Sequence, residues 1–345
     1  MKTKIYKIDR ENIDLNKLKE ASELIKKDEL VAMPTETVYG LAANGLSDLA
    51  CKKIFKAKNR PNDNPLILHI ASIDKIDTLA KDISDRARVI MDKLWPGPMT
   101  LIFKKSDIIP STVTAGGDTV AIRMPEDIIA RKFISLCDLP IAAPSANISG
   151  RPSPTNAKDV LFDMDGKISA IIDGGSSKIG IESTVIDMSE KTPVILRPGF
   201  YTYEFLKTYL DDIKLDDSLV DSSKIPKSPG QKYRHYAPKA KMQVYVGKNA
   251  YETIKKVAQE KKKEGYKVGI LEFDDVLDQF DEFDNLSLGD RNDLIQMSHN
   301  LFTSIRLLDK KNCDIILAEG VEEANLGKSI MNRMKKSASG LVFNV

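Results

Sequence analysis

The chain has 345 residues, 42% of them hydrophobic, which is room for two domains of roughly 100–200 residues with separate cores. Its 52 Lys+Arg and 50 Asp+Glu leave a formal charge of only +2, which excludes a global field drawing it to nucleic acid or membrane, so any basic site is local. The N-terminus is charged where a signal peptide is apolar, and no apolar run approaches the roughly 18 residues of a membrane span. The 3 Cys (Cys51, Cys137, Cys313) lie far apart with no C-x-x-C pair. They read as buried small hydrophobes in a reduced compartment, so a soluble, cytoplasmic protein without structural zinc is expected.

From Ile5 to about Tyr209, short β-branched runs alternate with helical patterns, as in an α/β domain. In chain order the pattern predicts helix Leu15–Lys27, strand Leu30–Met33, helix Leu49–Ala57, strand Leu66–Ile70 and helix Ser84–Leu94. Strands Met99–Lys104 and Thr119–Arg123, helix Ile128–Leu136 and strands Ile141–Ala143, Ala170–Asp173, Thr184–Asp187 and Val194–Leu196 follow, then helix Tyr203–Tyr209. Many of these strands are apolar without alternation, so burial on both faces is expected. A polar stretch at 211–224 and a segment at 226–239 with three prolines and a Gly allow neither helix nor central strand. The expected organisation is therefore a domain at 1–212, a linker at 213–241 and a second domain at 242–345. Tyr233, Arg234, His235 and Tyr236 make that linker too rich for an inert spacer, and it is expected to dock onto something. Beyond it come strand Met242–Val246, helix Tyr251–Lys263, strand Lys267–Phe273, helix Asp290–Lys310, strand Cys313–Glu319 and helix Ala324–Lys336. These make βαβ units and a small parallel, Rossmann-like sheet, with Leu294, Met297, Leu301, Ile305 and Leu308 on one helix face.

Several familiar motifs fail. Gly327-Lys328-Ser329 tempts a phosphate-loop reading, but Glu322 stands where that loop needs Gly, and an exposed helix start is the expectation. No G-x-G-x-x-G or G-x-S-x-G occurs, and His69, His235 and His299 lack zinc-hydrolase spacing. His299 reads as a partly exposed helical residue.

Other motifs hold. Pro34-Thr35-Glu36-Thr37-Val38-Tyr39-Gly40-Leu41 follows an apolar strand, and its hydroxyls, carboxylate and Gly suit a small polar ligand. A Pro-started turn with Tyr39 in the core explains the segment equally well when taken alone. Lys56, Lys58 and Arg60, with Asn59 and Asn64, precede a buried strand ending at His69, and closely spaced Lys and Arg suit polyphosphate oxygens. Cations complementing a helix C-terminus would account for Lys56 but hardly for Arg60-Pro61. Pro144-Ser145-Ala146-Asn147-Ile148-Ser149-Gly150-Arg151-Pro152-Ser153 offers neutral donors and one cation, the inventory of an anion-binding nest, though simple turn chemistry also fits. Asp118–Pro125, Glu182–Val185 and Leu196–Gly199 each put a cation or hydroxyl at a strand end, where ligands gather in open α/β sheets. Together these segments describe a basic, hydroxyl-rich cleft.

Pro34–Leu41, Lys58-x-Arg60, Ser145-x-Asn147, Glu182–Val185 and Arg197-Pro-Gly, in this order, resemble the YrdC-like threonylcarbamoyl-AMP synthase family over about residues 10–210. The Ser-Pro-Gly-x-Lys-Tyr-Arg-His-Tyr-Ala-Pro linker and the small domain after it resemble the two-domain members. The resemblance implies a twisted mixed sheet with flanking helices and a concave basic cleft, followed by the smaller α/β domain. It implies synthesis of L-threonylcarbamoyl-AMP from L-threonine, bicarbonate and ATP, with Mg2+ and release of pyrophosphate. A separate transferase then moves the threonylcarbamoyl group to adenosine at position 37 of tRNAs reading codons that begin with A.

By the same resemblance Thr37, His69, Arg123 and Ser183, with the backbone near Ala143, would surround L-threonine. Arg60, Asn64, Thr119, Ser145, Ser153 and Arg197 would hold ATP, assisted by Lys58 and Asn147, and Tyr233 would close over the nucleotide. Lys58 and Arg60 would be the catalytic cations, and no protein metal site is expected. Gln231 departs from the Met common in the linker motif, with little consequence expected at a backbone and packing position. Hydroxyl-bearing residues also occur in relatives at position 143. Two anionic reactants need such cations, and an aromatic linker could keep water from a carbamate that reverts quickly. An RNA-binding, translation-associated module is the rival of another class. Only 6% of residues are aromatic and the basic positions alternate with Ser, Thr and Asn, so the enzyme is preferred, while weak tRNA contact stays compatible with a basic cleft. A carbamoyl-adenylate-forming enzyme is the nearest rival among enzymes, but those carry further domains that this chain lacks.

Overall fold

The computed structural model describes residues 2–220 and 235–345. Residues 221–234 of the expected linker, including Gln231 and Tyr233, lie outside them. The chain forms two compact α/β units, and Gly150–Ser153 and Ile179–Ile181 cluster with the second.

The first unit is built on a 12-stranded mixed sheet. Its spatial order is Lys4–Lys7, Ala170–Asp173, Val31–Met33, Gly40–Asn44, Ile141–Ala142, Ile67–His69, Thr119–Arg123, Met99–Lys105, Thr184–Asp187, Val194–Arg197 and Lys214–Leu215, with Ala80–Lys81 pairing Met99–Lys105. Alternation along the strands feeds two cores. Val31, Met33, Ala42, Ala170 and Ile172 pack with helices Leu15–Lys26 and Ile128–Cys137, while Ala32, Leu41, Ala43 and Ile171 join the cluster on the opposite face. Burial on both faces explains why these runs read as apolar throughout. The helices begin at side-chain caps: Asp14, Ser47, Ser84, Asp127, Asn156 and Thr202 each accept from a backbone N–H of the first turn.

The polar stretch after residue 211 is not all linker. Lys214–Leu215 pairs in parallel with Val194–Ile195, and Asp217–Val220 is helical. Leu210 and Ile213 are buried and anchor this extension to the first core, so the sheet passes the expected boundary at 212.

The second unit carries a five-stranded, wholly parallel sheet in the order Asp284–Ser287, Val268–Glu272, Ile315–Glu319, Lys241–Val246, Val342–Asn344. Helices Ala250–Lys263, Leu294–Lys310 and Leu326–Ser337 connect it, and Met297, Leu301, Ile305 and Leu308 are fully buried on one helix face as expected. The predicted helix start at Gly327-Lys328-Ser329 is corrected in one respect: Gly327 and Ser329 are buried, and a Cβ at Gly327 would stand 2.1 Å from the Glu322 carbonyl oxygen. Of the linker, Tyr236 stacks on Phe302 at 5.1 Å and the Ala237 N–H donates to the Gly150 carbonyl at 2.8 Å.

Glu272 ends its strand fully buried, and burial together with the neighbouring Glu319 carboxyl group pushes its pKa well above the usual carboxylate range. The folded form therefore holds a proton that the unfolded chain releases, and this group's contribution to stability falls as pH rises above the unfolded value of 4.5. Glu272→Gln removes that slope. Denaturant melts should show the variant gaining on the parent from pH 5 to pH 8, and a constant difference would show that Glu272 is ionised in the fold.

Candidate active site

The strand pairing that builds the sheet also aligns the predicted residues. His69 is in register with Arg123 across parallel strands, and Arg123 with Thr100 across antiparallel ones. The Thr100 hydroxyl lies 2.7 Å from that of Ser183, and Arg197 donates to Ser183 through Nε to the carbonyl oxygen and Nη2 to Oγ, both at 3.0 Å. All five side chains are buried. A row runs across the ends of five neighbouring strands: His69, Arg123, Thr100, Ser183 and Arg197.

Above this row lie two loops bonded to each other. The Leu41 N–H donates to Pro144 O at 2.7 Å and the Ala146 N–H to Tyr39 O at 2.8 Å, and Gly40 bridges Ser145. Gly40 permits the approach, because a Cβ there would lie 3.2 Å from Ala143 Cβ. Thr37 is fully buried and accepts from Arg123 Nη1 at 2.8 Å. Tyr39 is also fully buried, and its hydroxyl donates to Gly175 O at 2.6 Å, so this residue belongs to the core while Thr37 bonds to the row.

Helix Asp48–Lys58 delivers Lys58 at its last residue. The ammonium is buried and donates to the carbonyls of Ser145 and of Asn147, the latter at 2.6 Å. Ser145 Oγ donates to Asn147 Oδ1 at 2.6 Å. The expected catalytic cation thus holds the Ser145–Asn147 loop in shape. Lys56 is exposed and, with Lys52, Arg60 and Pro61, lines an open pocket.

Arg60, Asn64 and Thr119 form a separate group. Arg60 Nη2 reaches Asn64 O and Pro65 O, each at 3.5 Å, just before strand Ile67–His69, whose parallel neighbour begins at Thr119. Asn64 is buried, and its Oδ1 has no partner among the described residues. Thr119 and Arg123 are opposite ends of one strand, roughly 13 Å apart at 3.3 Å per residue. Ser153 is buried within the second unit's Gly150–Ser153 segment, where the Pro152 carbonyl accepts from Arg306 Nε at 2.9 Å.

Burial, and secondarily the Arg123 guanidinium, pushes the His69 pKa down to about 3. Its Nδ1 lies 3.3 Å from Ile67 O, which can only accept, so that nitrogen carries the proton and the ring is neutral at working pH. Because the unfolded chain binds a proton near 6.5 and the fold does not, stability falls as pH drops through the window from 6.5 to 3. In His69→Asn that part of the pH dependence should vanish from denaturant melts; an unchanged slope would assign it elsewhere.

From the sequence, Glu36 stood out only as the carboxylate of the 34–41 segment, with no partner assigned, and Thr100 not at all. Glu36 pairs with Arg123 at 2.6 Å, both nearly inaccessible at 3% and 6% exposure. Thr100 is a fully buried polar residue in an apolar strand. A carboxylate beside an apolar strand and a Thr within one are the signals that could have found them. Among the described residues no three of His, Cys, Asp and Glu converge as a metal site, and all three cysteines are free and buried. No described helix is long and apolar enough to cross a membrane.

Comparison with known proteins agrees with this architecture. Residues 23–199 match the family model described as "Telomere recombination", and residues 201–339 the one described as "Threonylcarbamoyl-AMP synthase, C-terminal domain". The threonylcarbamoyl-AMP synthase of Pyrococcus abyssi is 45% identical over 339 residues, 97% of this chain and 98% of that protein. That of Bacillus subtilis is 42% identical over 347 residues, 99% and 100% of the two chains. The crystal structure of P. abyssi Sua5 complexed with L-threonine superposes with a TM-score of 0.94 at 44% identity, covering 99% of this chain and 100% of that one. Fold and site therefore define a two-domain α/β enzyme of the nucleotidyltransferase type. The chain belongs to the threonylcarbamoyl-AMP synthase family.

Proposed function

We propose that the protein condenses L-threonine, bicarbonate and ATP into L-threonylcarbamoyl-AMP and pyrophosphate. The observation that carries this reading is the buried row His69, Arg123, Thr100, Ser183 and Arg197, set one strand length from the group Arg60, Asn64 and Thr119. That arrangement supports a small-molecule pocket beside a nucleotide pocket, with Thr37, His69, Arg123, Ala143 and Ser183 around threonine. Arg60, Asn64, Thr119, Ser145, Asn147, Ser153, Arg197 and Tyr233 take the nucleotide.

In the reaction the threonine amine captures bicarbonate as a carbamate with loss of water. A carbamate oxygen then forms a bond to the α-phosphorus while the bond to pyrophosphate breaks. Nothing in this sequence requires a covalent protein nucleophile, and rate comes from alignment and charge compensation, for which effective molarities of about 10⁵ M or more are attainable. Magnesium enters with ATP and supplies charge neutralisation at the phosphates. The protein's share is Arg60 and Arg197, with Lys58 shaping the loop between them. The product passes to a separate transferase acting on adenosine 37 of tRNAs that read codons beginning with A. Unpaired, buried cysteines support a cytoplasmic setting.

The test is pyrophosphate release from ATP by the purified protein with threonine and bicarbonate omitted in turn. Release that needs both is expected. Release indifferent to threonine would favour a carbamoyl-adenylate-forming enzyme, and nucleotide binding without release an RNA-associated module.

A further inference from the structure

Glu36 stands in the loop after the buried strand Val31–Met33, and its carboxylate is enclosed beside the row. Arg123 Nη2 donates to Oε1 at 2.6 Å, and the Asp127 N–H approaches Oε2 at 3.4 Å. Asp127 opens helix Ile128–Cys137 and pairs with Arg10 at 2.5 Å, so Glu36 sits by the positive end of a helix and its negative charge is favoured there. The same guanidinium donates to Gly97 O through Nε at 3.3 Å and to Thr37 Oγ1 through Nη1 at 2.8 Å. A planar fork held at three points has one orientation.

The polarity of the next bonds is set from the other side, at Thr35. Thr35 Oγ1 lies 2.6 Å from Val38 O, a separation two acceptors cannot share, so the single Thr35 hydroxyl proton is directed there. The 2.8 Å contact between Thr35 and Thr37 hydroxyls must then use the Thr37 proton. Thr37 Oγ1 consequently accepts from Arg123, donates to Thr35, and has one lone pair left. It can meet a ligand only as an acceptor.

We propose that Glu36 is a positioning residue which, by holding Arg123, fixes the place of the acceptor-only Thr37 hydroxyl against an N–H or O–H donor of the amino-acid substrate. This rests on the threonine reading above. A pre-paired Arg123 also presents direction without net charge, matching a zwitterion better than an anion.

The experiment is steady-state pyrophosphate release with L-threonine and ATP varied separately, on the parent, Glu36→Gln, Glu36→Asp, Arg123→Met and the double variant Glu36→Gln/Arg123→Met. Glu36→Gln should raise KM for L-threonine about tenfold or more, as expected for loss of one charge-assisted bond, and leave KM for ATP within about twofold. Glu36→Asp, which keeps the charge, should recover part of the loss, and the double variant should match Arg123→Met alone. Unchanged KM for threonine, equal rises for both substrates, or additive effects would each overturn the assignment. Should the single Glu36 variants not fold, the double variant, free of a lone buried charge, decides by its threonine-induced thermal shift. A shift equal to the parent's, or one smaller than that of Arg123→Met, overturns the proposal, and a shift equal to that of Arg123→Met supports it. A parent with no threonine-induced shift at all would overturn the threonine reading, and this assignment with it. A parent that shifts while Glu36→Gln keeps its KM overturns this assignment alone.

Discussion

Lys58→Met is expected to reduce pyrophosphate release by at least about 100-fold, the scale seen when one preorganised polar contact is removed from an active site. The substitution keeps most of the side-chain volume and removes only the ammonium, which donates to the carbonyls of Ser145 and Asn147. Those carbonyls would be left buried and short of a donor, at about 1–3 kcal/mol each, and the Ser145–Asn147 loop has reason to move. It has a second tie to the same helix end, since the Ser149 N–H donates to Lys58 O at 2.8 Å. A charge at the last residue of a helix is favoured by the exposed carbonyl dipoles there, so the position itself selects a cation. Lys58→Arg should rescue poorly: the side chain is 1% exposed, and a planar fork does not fit between contacts made for a compact ammonium. Activity assays beside denaturant melts separate loss of fold from loss of loop geometry. If Lys58→Met kept half of the parent rate, the loop would not depend on that ammonium, and neither would the nucleotide pocket proposed there.

How much of this was legible beforehand depends on the kind of residue. Thr119–Arg123, Ala170–Asp173 and Thr184–Asp187 fall on their predicted limits because β-branched runs between turns have few alternatives. Gly40–Asn44 went unseen as a strand: Gly, Ala and Asn have poor strand propensity, and its structure comes from pairing with Val31–Met33 and Ile141–Ala142. The edge strands Lys4–Lys7, Asp284–Ser287 and Val342–Asn344 are short and partly exposed, so no apolar pattern marks them. Helix Ala157–Met164 follows the capping residue Asn156, a signal that was present and went unread. In the site, cations and hydroxyls announced themselves by type. Their mutual use did not, because Glu36 meets Arg123 across 87 residues of sequence and only strand register brings them together. For the same reason Lys58 read only as a phosphate ligand, and its bonds to main-chain carbonyls 87 and 89 residues away went unseen.

Gly199→Ala should be the most damaging single-methyl change near the site. A Cβ at 199 would lie 2.3 Å from Thr184 N, 2.6 Å from Ser183 C and 2.8 Å from Glu182 O, all main-chain atoms that no rotamer change can withdraw. Thr184 cannot yield, because its N–H donates to Pro98 O at 3.0 Å and its strand is paired on both sides. The turn at Pro198-Gly199 must therefore back away, and Arg197, two residues earlier, is drawn off Ser183 O and Oγ. Overpacking costs about 1–3 kcal/mol, and hydrogen bonds to a buried charge contribute about 1.5–3 more, so a loss of at least about 2 kcal/mol in stability is expected. Pyrophosphate release should fall with it, since Ser183 and Arg197 share the row. Gly116→Ala supplies the contrast. Gly116 has φ +83° and open space around its would-be Cβ, so that change should cost about 1 kcal/mol of backbone strain and leave release unchanged. Gly199 lies outside the left-handed region, so equal losses of stability in the two variants would mean that its close approach to Glu182–Thr184 costs no more than the backbone strain at Gly116.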